Sequence, residues 1–179
     1  MEDAGRRRRG LEPDRLGQPR LRLDRRQQRS RSRASAPGST ATSSRSNDAS
    51  KHTWRLVALD KATGKVVWDK VAHEGVPKTK RHPKSSQASA TPVTDGTHVI
   101  VSFGSEGLYA YDFDGKLLWK KDLGVLNAGW FFDPDYEWGI GSSPIIYKNM
   151  VIVQCDIQRG SFIAAFDTAT GKEVVAHAA

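Results

Sequence analysis

The chain has 179 residues and a formal net charge of +8, and its charged and aromatic residues are segregated along the sequence. Residues 1–50 hold 13 Arg, no Lys and six acidic residues, and so carry seven of the eight net charges, whereas all 15 aromatic residues follow residue 50. This segregation excludes a uniformly basic nucleic-acid-binding domain. No apolar run approaches the roughly 18 residues of a membrane-spanning helix. A single Cys excludes an internal disulfide and a Cys-rich zinc site.

The composition of residues 1–50 predicts a disordered, Arg/Ser-rich tail. This segment contains no Val, Ile or aromatic residue, so it cannot bury enough apolar surface to offset the entropy of ordering. Three interpretations stay open: an arginine-rich arm that binds nucleic-acid phosphates, a solvated extension, and a stretch that is not natural coding sequence. The basic start is not followed by the apolar stretch of a signal peptide.

From residue 54 onward the sequence repeats itself about every 50 residues. One segment appears three times, as Leu56–Trp68, Leu108–Trp119 and Phe162–Val175. Its aspartates Asp60, Asp112 and Asp167 lie 52 and 55 residues apart. Pro92 and Pro144 repeat in the same phase, also 52 residues apart. Two elements that recur in step indicate a repeat architecture.

Each repeat unit predicts four short strands. The first strand begins at the repeated proline, and the second is a run of β-branched residues that is apolar on both faces. The third and fourth strands flank a turn of the form Asp-x-x-Thr-Gly, or Asp-x-x-Gly in the second copy. There the carboxylate can accept turn amides, and the glycine supplies a positive φ. Four-stranded antiparallel units of this length are typical of β-propeller blades.

The repeated turn and the aromatic residue after it resemble the tryptophan-docking motif of pyrroloquinoline-quinone-like (PQQ-like) propeller repeats, over roughly residues 54–179. The residues that carry the resemblance are Ala58, Asp60, Thr63, Gly64 and Trp68 in the first copy, Ala110, Asp112, Gly115 and Trp119 in the second, and Ala165, Asp167, Thr170 and Gly171 in the third. The third copy has Val175 where the others have tryptophan. The resemblance implies that the two indoles pack flat between neighbouring blades.

The resemblance implies an all-β fold, an incomplete propeller of four-stranded antiparallel blades that follows the tail. We expect residues 51–179 to form a partial blade at 54–69 and two full blades at 88–121 and 141–179. Relatives close a ring of about seven or eight blades, so the sequence is interpreted as a fragment of about two and a half blades. Its open faces favour self-association, further blades of the same propeller, or other protein partners.

The resemblance also bears on catalysis and cofactors. Quinone-dependent relatives hold PQQ between a tryptophan and a vicinal Cys-Cys disulfide, with a calcium ion and a catalytic aspartate. Cys155 is the only cysteine, and its apolar surroundings in sequence predict a buried small hydrophobe. The repeating aspartates are assigned to turn capping. We therefore predict no catalytic residue and no cofactor, with PQQ and calcium bound only if further blades supply the site.

A basic loop between the first two blades is one remaining candidate site. Residues 78–84 cluster positive charge, and Lys80, Arg81 and His82 are weak candidates for holding an anionic group. A solvated loop is the alternative interpretation.

An acidic, aromatic loop between the second and third blades is the other candidate. Residues 130–138 set Asp133, Asp135 and Glu137 among aromatic side chains, and carboxylates can bind calcium. No EF-hand pattern completes that site, so aromatic packing on the neighbouring blade is the alternative. Because this loop and the basic loop have opposite charge and equivalent places, they could also pair with each other.

Taken together, these features predict a structural or interaction module of a PQQ-like β-propeller without catalysis of its own. The alternative is a fragment of a PQQ-dependent quinoprotein dehydrogenase, an oxidoreductase. A third hypothesis is nucleic-acid binding through the arginine tail. The resemblance implies an exported, periplasmic bacterial protein, although the sequence contains no signal peptide.

Overall fold

The computed structural model of the chain describes residues 21–24, 49–82, 85–130 and 133–178. Its strands are β1 (Leu21–Asp24), β2 (His52–Asp60), β3 (Val66–Gly75), β4 (Val93–Thr94), β5 (Val99–Ser102), β6 (Leu108–Tyr111), β7 (Leu117–Lys121), β8 (Gly129–Trp130), β9 (Asp133–Glu137), β10 (Ile145–Tyr147), β11 (Met150–Cys155), β12 (Phe162–Asp167) and β13 (Glu173–Ala178). The one helical element in this part of the chain is a 3-10 turn at Gly104–Glu106.

Two four-stranded antiparallel sheets form the second and third blades. The second blade has the strand order β4-β5-β6-β7, and the third has the order β10-β11-β12-β13. In both sheets each strand pairs with its neighbour in sequence, and a β-bulge interrupts the pairing of the last two strands. The sequence-based prediction of an all-β fold built from four-stranded antiparallel units is confirmed.

Among the described residues, the first blade has three strands in the order β1-β2-β3. Its β1 comes from within the predicted tail, where Leu21–Asp24 pair with β2; the other residues of 1–48 lie outside the described part. Leu23 pairs with Ala58, as Ile100 pairs with Ala110 in the second blade. The segment therefore takes the position of a second blade strand. Without β1, the edge of β2 would present unpaired backbone groups. The four residues of β1 pair with that edge although they lack the β-branched side chains that predict a strand.

A small hairpin occurs where the sequence predicted a loop. Strands β8 and β9 pair antiparallel, with Gly129 opposite Glu137. Residues 130–138 therefore do not form an irregular connection along their whole length. This hairpin lies between the second and third blades in sequence, and it brings the backbone of Glu137 back beside that of Gly129.

Alternating side chains of β6 fill two separate cores. Leu108 and Ala110 belong to the core between the second and third blades, together with Val151 and Phe166. Tyr109 and Tyr111 belong to the other core, with Trp54 and Leu56 of the first blade. All four β6 side chains are buried. A strand that is apolar on both faces is explained by this position between two blades.

Candidate functional site

The turns between the last two strands of each blade have the same hydrogen bonds in the first and third copies. Asp60 Oδ1 accepts the Thr63 amide at 2.7 Å and the Thr63 hydroxyl at 2.6 Å. Asp167 Oδ1 accepts the corresponding groups of Thr170 at 2.9 and 2.7 Å. These hydroxyl and amide donors hold the pKa of Asp60 and of Asp167 below the ordinary value. The aspartates therefore serve the turns as ionised caps.

Trp68 of the first blade docks on the turn of the second blade. Its indole Nε1 donates a hydrogen bond to the Phe113 carbonyl at 2.7 Å. A Cβ placed on Gly115 would lie 2.8 Å from Trp68 Cδ2, which is closer than real Cβ atoms approach. The glycine is therefore required both for its φ of +76° and for the space that the indole fills.

Trp119 of the second blade repeats this contact on the third blade. Its Nε1 donates to the Thr168 carbonyl at 2.8 Å, and its ring lies 2.7 Å from the position of a Cβ on Gly171. Thr168 is only 3% exposed as a result. Two residues further along β7, the Lys121 ammonium lies 5.2 Å from the ring centre of Phe166. The first and second blades thus each contact the following blade through an indole that packs on its turn.

A small residue opposite each tryptophan makes room for the indole. Ala58 pairs with Trp68 in the first blade, and Ala110 pairs with Trp119 in the second. In the third blade Ala165 pairs with Val175. A β-bulge follows the alanine in every copy. The third blade thus keeps the backbone frame of the docking motif and lacks its indole.

The first turn presents the same docking surface without a partner among the described residues. Lys61, which corresponds to Phe113 and Thr168, is exposed, and its carbonyl accepts no hydrogen bond within the described chain. No described atom lies within 4 Å of the position of a Cβ on Gly64. The first blade therefore offers an open turn on the side away from the second blade.

The face of the third blade that points away from the second blade is apolar and exposed. Ile145 is 59% exposed and Ile163 is 45% exposed, and Tyr147 and Val175 are exposed beside them. In the second blade the residue corresponding to Ile163 is Leu108, which is fully buried against the third blade. The third blade therefore presents, uncovered, the surface that the second blade uses for stacking.

A buried carboxylate anchors the first inter-blade connection. Glu106 Oε1 accepts the backbone amide of Lys78 at 2.9 Å. Its Oε2 lies 3.3 Å from His73 Nε2, close enough for an ion pair but not aligned as a hydrogen bond. The Lys78 ammonium in turn contacts the Ser105 carbonyl and the Asp122 carboxylate. Sequence reasoning missed Glu106 and His73, because nothing in their spacing indicates that they meet.

Glu137, a candidate calcium ligand, binds the basic loop instead. Its Oε2 accepts the Lys80 amide at 3.1 Å, and the residue is 5% exposed. Burial raises the pKa of Glu137, and the amide and charge of Lys80 oppose that shift. The side chains of Asp133 and Asp135 lie outside the described part. No group of three or more metal-ligating side chains occurs in the described ranges.

The other basic-loop candidates also contact the loop itself and the second connection. The Arg81 guanidinium donates to the carbonyls of His82 and Ser85, at 3.3 and 2.9 Å. The His82 ring stacks on Trp138, with 5.3 Å between ring centres. The structure thus brings the two oppositely charged loops together through an amide–carboxylate bond and a ring stack. Lys80, Arg81 and His82 all take part in contacts that hold the connections.

Cys155 lies in the core between the second and third blades and is buried. Burial raises the pKa of its thiol to about 11, so the thiolate is scarce at neutral pH. In the portion that the structure describes, no helix has the length and apolar character needed to cross a membrane.

Stacked four-stranded antiparallel sheets, joined by repeated indole–turn contacts, define this protein as part of a β-propeller. A family model described as "Outer membrane protein assembly factor BamB" matches residues 52–174. The chain therefore belongs to that family of PQQ-like repeat proteins. No curated protein sequence matches it.

Three solved structures illustrate how much of a complete protein this chain spans. A europium-containing methanol dehydrogenase is 17% identical with a TM-score of 0.46, and the match covers 72% of this chain and 22% of that one. BamB from Moraxella catarrhalis is 22% identical with a TM-score of 0.43, covering 69% and 30%. Quinohemoprotein alcohol dehydrogenase from Comamonas testosteroni is 18% identical with a TM-score of 0.46, covering 71% and 18%. The chain thus spans less than a third of each of these proteins.

Proposed function

We propose that the chain is a structural and interaction module of a PQQ-like propeller, and that the outer face of its third blade stacks on a further four-stranded blade. That blade belongs either to the same polypeptide or to a partner chain. The module supplies binding surface and carries out no catalysis of its own. The observation that supports this proposal is the exposed apolar face of β10, β12 and β13.

The chemistry of this face favours a blade as its occupant. Soluble proteins rarely leave contiguous apolar patches of this kind uncovered. Ile145, Ile163 and Val175 correspond in the repeat to Val93, Leu108 and Trp119, which pack on the next blade. The outer face of the third blade thus matches, residue by residue, the face with which the second blade packs on the third. We therefore expect its partner to be another four-stranded blade.

A photo-crosslink can identify what covers this face. A photoreactive phenylalanine analogue replaces Ile163 in the full chain, produced in the cells in which the protein occurs. The matched control carries the same group at Val76, which is also exposed but directly follows β3 of the first blade and does not belong to the third blade. We expect the Ile163 position, and not the Val76 position, to crosslink to a peptide that carries a blade repeat.

Two results would contradict the proposal. Crosslinks from Ile163 to proteins without blade repeats, or equal crosslinking from both positions, would mean that the face does not stack on a blade. Alcohol oxidation by the purified chain with added PQQ and Ca²⁺ would contradict the absence of catalysis. The expected rate equals that of the quinone and calcium without protein.

A further inference from the structure

We infer that β1 is an intramolecular cap on the edge of β2, and that it keeps a second copy of this chain from pairing with that edge. The tail thereby has a role in controlling self-association. This inference goes beyond the proposed function, because it concerns a strand edge of the first blade and not the stacking face of the third. The family match begins at residue 52, so β1 lies in a part of the chain that the family model does not include.

The edge of β2 is only partly covered. β2 has nine residues, His52–Asp60, and β3 pairs with one side of it along most of its length. On the other side β1 pairs with residues 57–60, and no described strand pairs with residues 53–56 there. An unpaired edge presents a row of N–H and C=O groups that can pair with another chain. Without β1, the open edge would extend from residues 53–56 to residues 53–60.

β1 differs from the strand that occupies the same position in the second blade. Counted from the repeated alanine that each of these strands faces, Arg22 takes the position of Val99. Asp24 takes the position of Val101, and both valines are buried. β1 therefore has the backbone register of a blade strand without the apolar residues whose burial holds such a strand in place. A strand of this composition is displaceable.

The length and the charge of β1 also make it a poor template for a further strand. β1 has four residues, and residues 20–26 contain four Arg and one Asp. Short edge strands and charged residues are features by which proteins prevent edge-to-edge pairing. Two copies that paired through their β1 strands would bring like charges together. β1 thus replaces an edge that can be extended by one that disfavours a partner.

A second copy of β2 is the occupant that fits the edge once β1 has left it. Antiparallel pairing about a two-fold axis at Leu56 would place His52 opposite Asp60 of the second copy. Arg55, the other charged residue of the strand, would face an apolar one. The result is an antiparallel sheet of order β3-β2-β2-β3, which has the four strands of a complete blade. This pairing uses residues 57–60, so it cannot form while β1 is in place.

Replacement of Leu23 by proline removes the cap in the full chain. Proline lacks the N–H of a paired strand, so Leu23→Pro should release β1 from β2. The matched control is Leu16→Pro, which makes the same substitution in the tail but outside β1. Analytical ultracentrifugation measures the self-association of both variants and of the wild-type chain, and circular dichroism checks that each is folded.

A crosslink identifies the edge through which two copies associate. In the pairing about Leu56, Lys51 of one copy lies opposite Lys61 of the other. Within one chain these lysines lie just beyond opposite ends of β2, about 30 Å apart at about 3.3 Å per residue. A short amine-reactive crosslinker therefore joins them only between copies. A mixture of unlabelled and isotopically labelled chains verifies that the link is intermolecular.

We expect Leu23→Pro to self-associate at least about tenfold more tightly than the wild-type chain, because an edge that β1 covers about nine-tenths of the time loses that factor in apparent affinity. Leu16→Pro should behave like wild type. The Lys51–Lys61 crosslink should form in Leu23→Pro alone. Association through the exposed face of the third blade would be equal in all three chains and would not give this crosslink.

Equal self-association of Leu23→Pro and Leu16→Pro would overturn the inference. Tighter association of Leu23→Pro without the Lys51–Lys61 crosslink would also overturn it, and so would the same yield of that crosslink in the wild-type chain. If Leu23→Pro does not fold, the double variant Leu21→Ser with Leu23→Ser replaces it. That variant keeps every backbone amide and lowers the strand propensity of β1, and the same results are expected and decisive.

Discussion

Replacement of Trp119 by alanine tests the strength of the contact between the second and third blades. The substitution removes an indole that packs on Gly171 and leaves the Thr168 carbonyl without its hydrogen bond. Truncating a core tryptophan costs about 3–5 kcal/mol, and a buried group left without its partner accounts for about 1–3 kcal/mol of such losses. Because Trp119 is only partly buried, we expect a loss of about 3 kcal/mol in the free energy of unfolding.

Urea denaturation of the full chain, followed by far-ultraviolet circular dichroism, measures this loss. With a denaturant slope of about 2 kcal/mol/M, the midpoint should fall by about 1.5 M. Trp119→Phe keeps an aromatic ring but removes the N–H and the five-membered ring of the indole, so it should lose about 2 kcal/mol, less than Trp119→Ala. The matched control is Leu118→Ala on the same strand, which is 40% exposed and should lose less than about 1 kcal/mol.

Which blade is loosened by Trp119→Ala is as informative as the loss in the free energy of unfolding. In a stack in which each blade contacts only its neighbours, loss of the indole should loosen the third blade first. We therefore expect amide hydrogen exchange in β12 to accelerate more than exchange in β2. A Trp119→Ala midpoint equal to that of Leu118→Ala, or uniform acceleration in both strands, would refute the docking account.

Three further predictions concern single residues. Gly171→Ala and Gly64→Ala should each lower the free energy of unfolding by about 1 kcal/mol, because both positions have positive φ. Urea denaturation should show a loss at least about 1 kcal/mol larger for Gly171→Ala, because its Cβ would meet the Trp119 ring. Equal losses for the two variants would contradict the docking of that ring. Cys155, with its thiol pKa raised to about 11, should resist a thiol-reactive dye at pH 7 until urea unfolds the chain, and rapid native labelling would contradict its burial. The pKa of Asp167 is held below its ordinary 3.8, so the stability that it contributes is present above pH 3.8 and is lost as the pH falls through its lower native pKa. Asp167→Asn should therefore show a smaller drop in melting temperature between pH 7 and pH 3 than wild type, and an equal drop would refute that assignment.

The repeated elements of the fold could be predicted from sequence because their signals are local. The run of β-branched residues that predicts the second strand of each unit is, in the third blade, the strand β11 at Met150–Cys155. The Asp-x-x-Thr-Gly pattern carries its own turn chemistry, and the aspartate caps its turn through bonds that span only three residues. Signals of this kind do not depend on the rest of the chain.

Long-range contacts could not be predicted in the same way. The capture of the Lys78 amide by Glu106 joins residues 28 positions apart, and that of the Lys80 amide by Glu137 joins residues 57 apart. Neither contact has a spacing rule, because each depends on how the connections cross between blades. Strand β1 escaped prediction for another reason. Its pairing is supplied by the edge of β2 and not by its own composition.

The native mass of the protein in the cells in which it occurs tests the central claim most directly. Propellers close with about four to eight blades, so a module whose third blade leaves its outer apolar face exposed should be found in a larger species. We predict a polypeptide or complex that is heavier than 19.8 kDa and contains at least four blades, with further blade repeats identified by peptide sequencing. A monodisperse 19.8 kDa monomer with a cooperative thermal transition would contradict the claim that these faces stack on other blades.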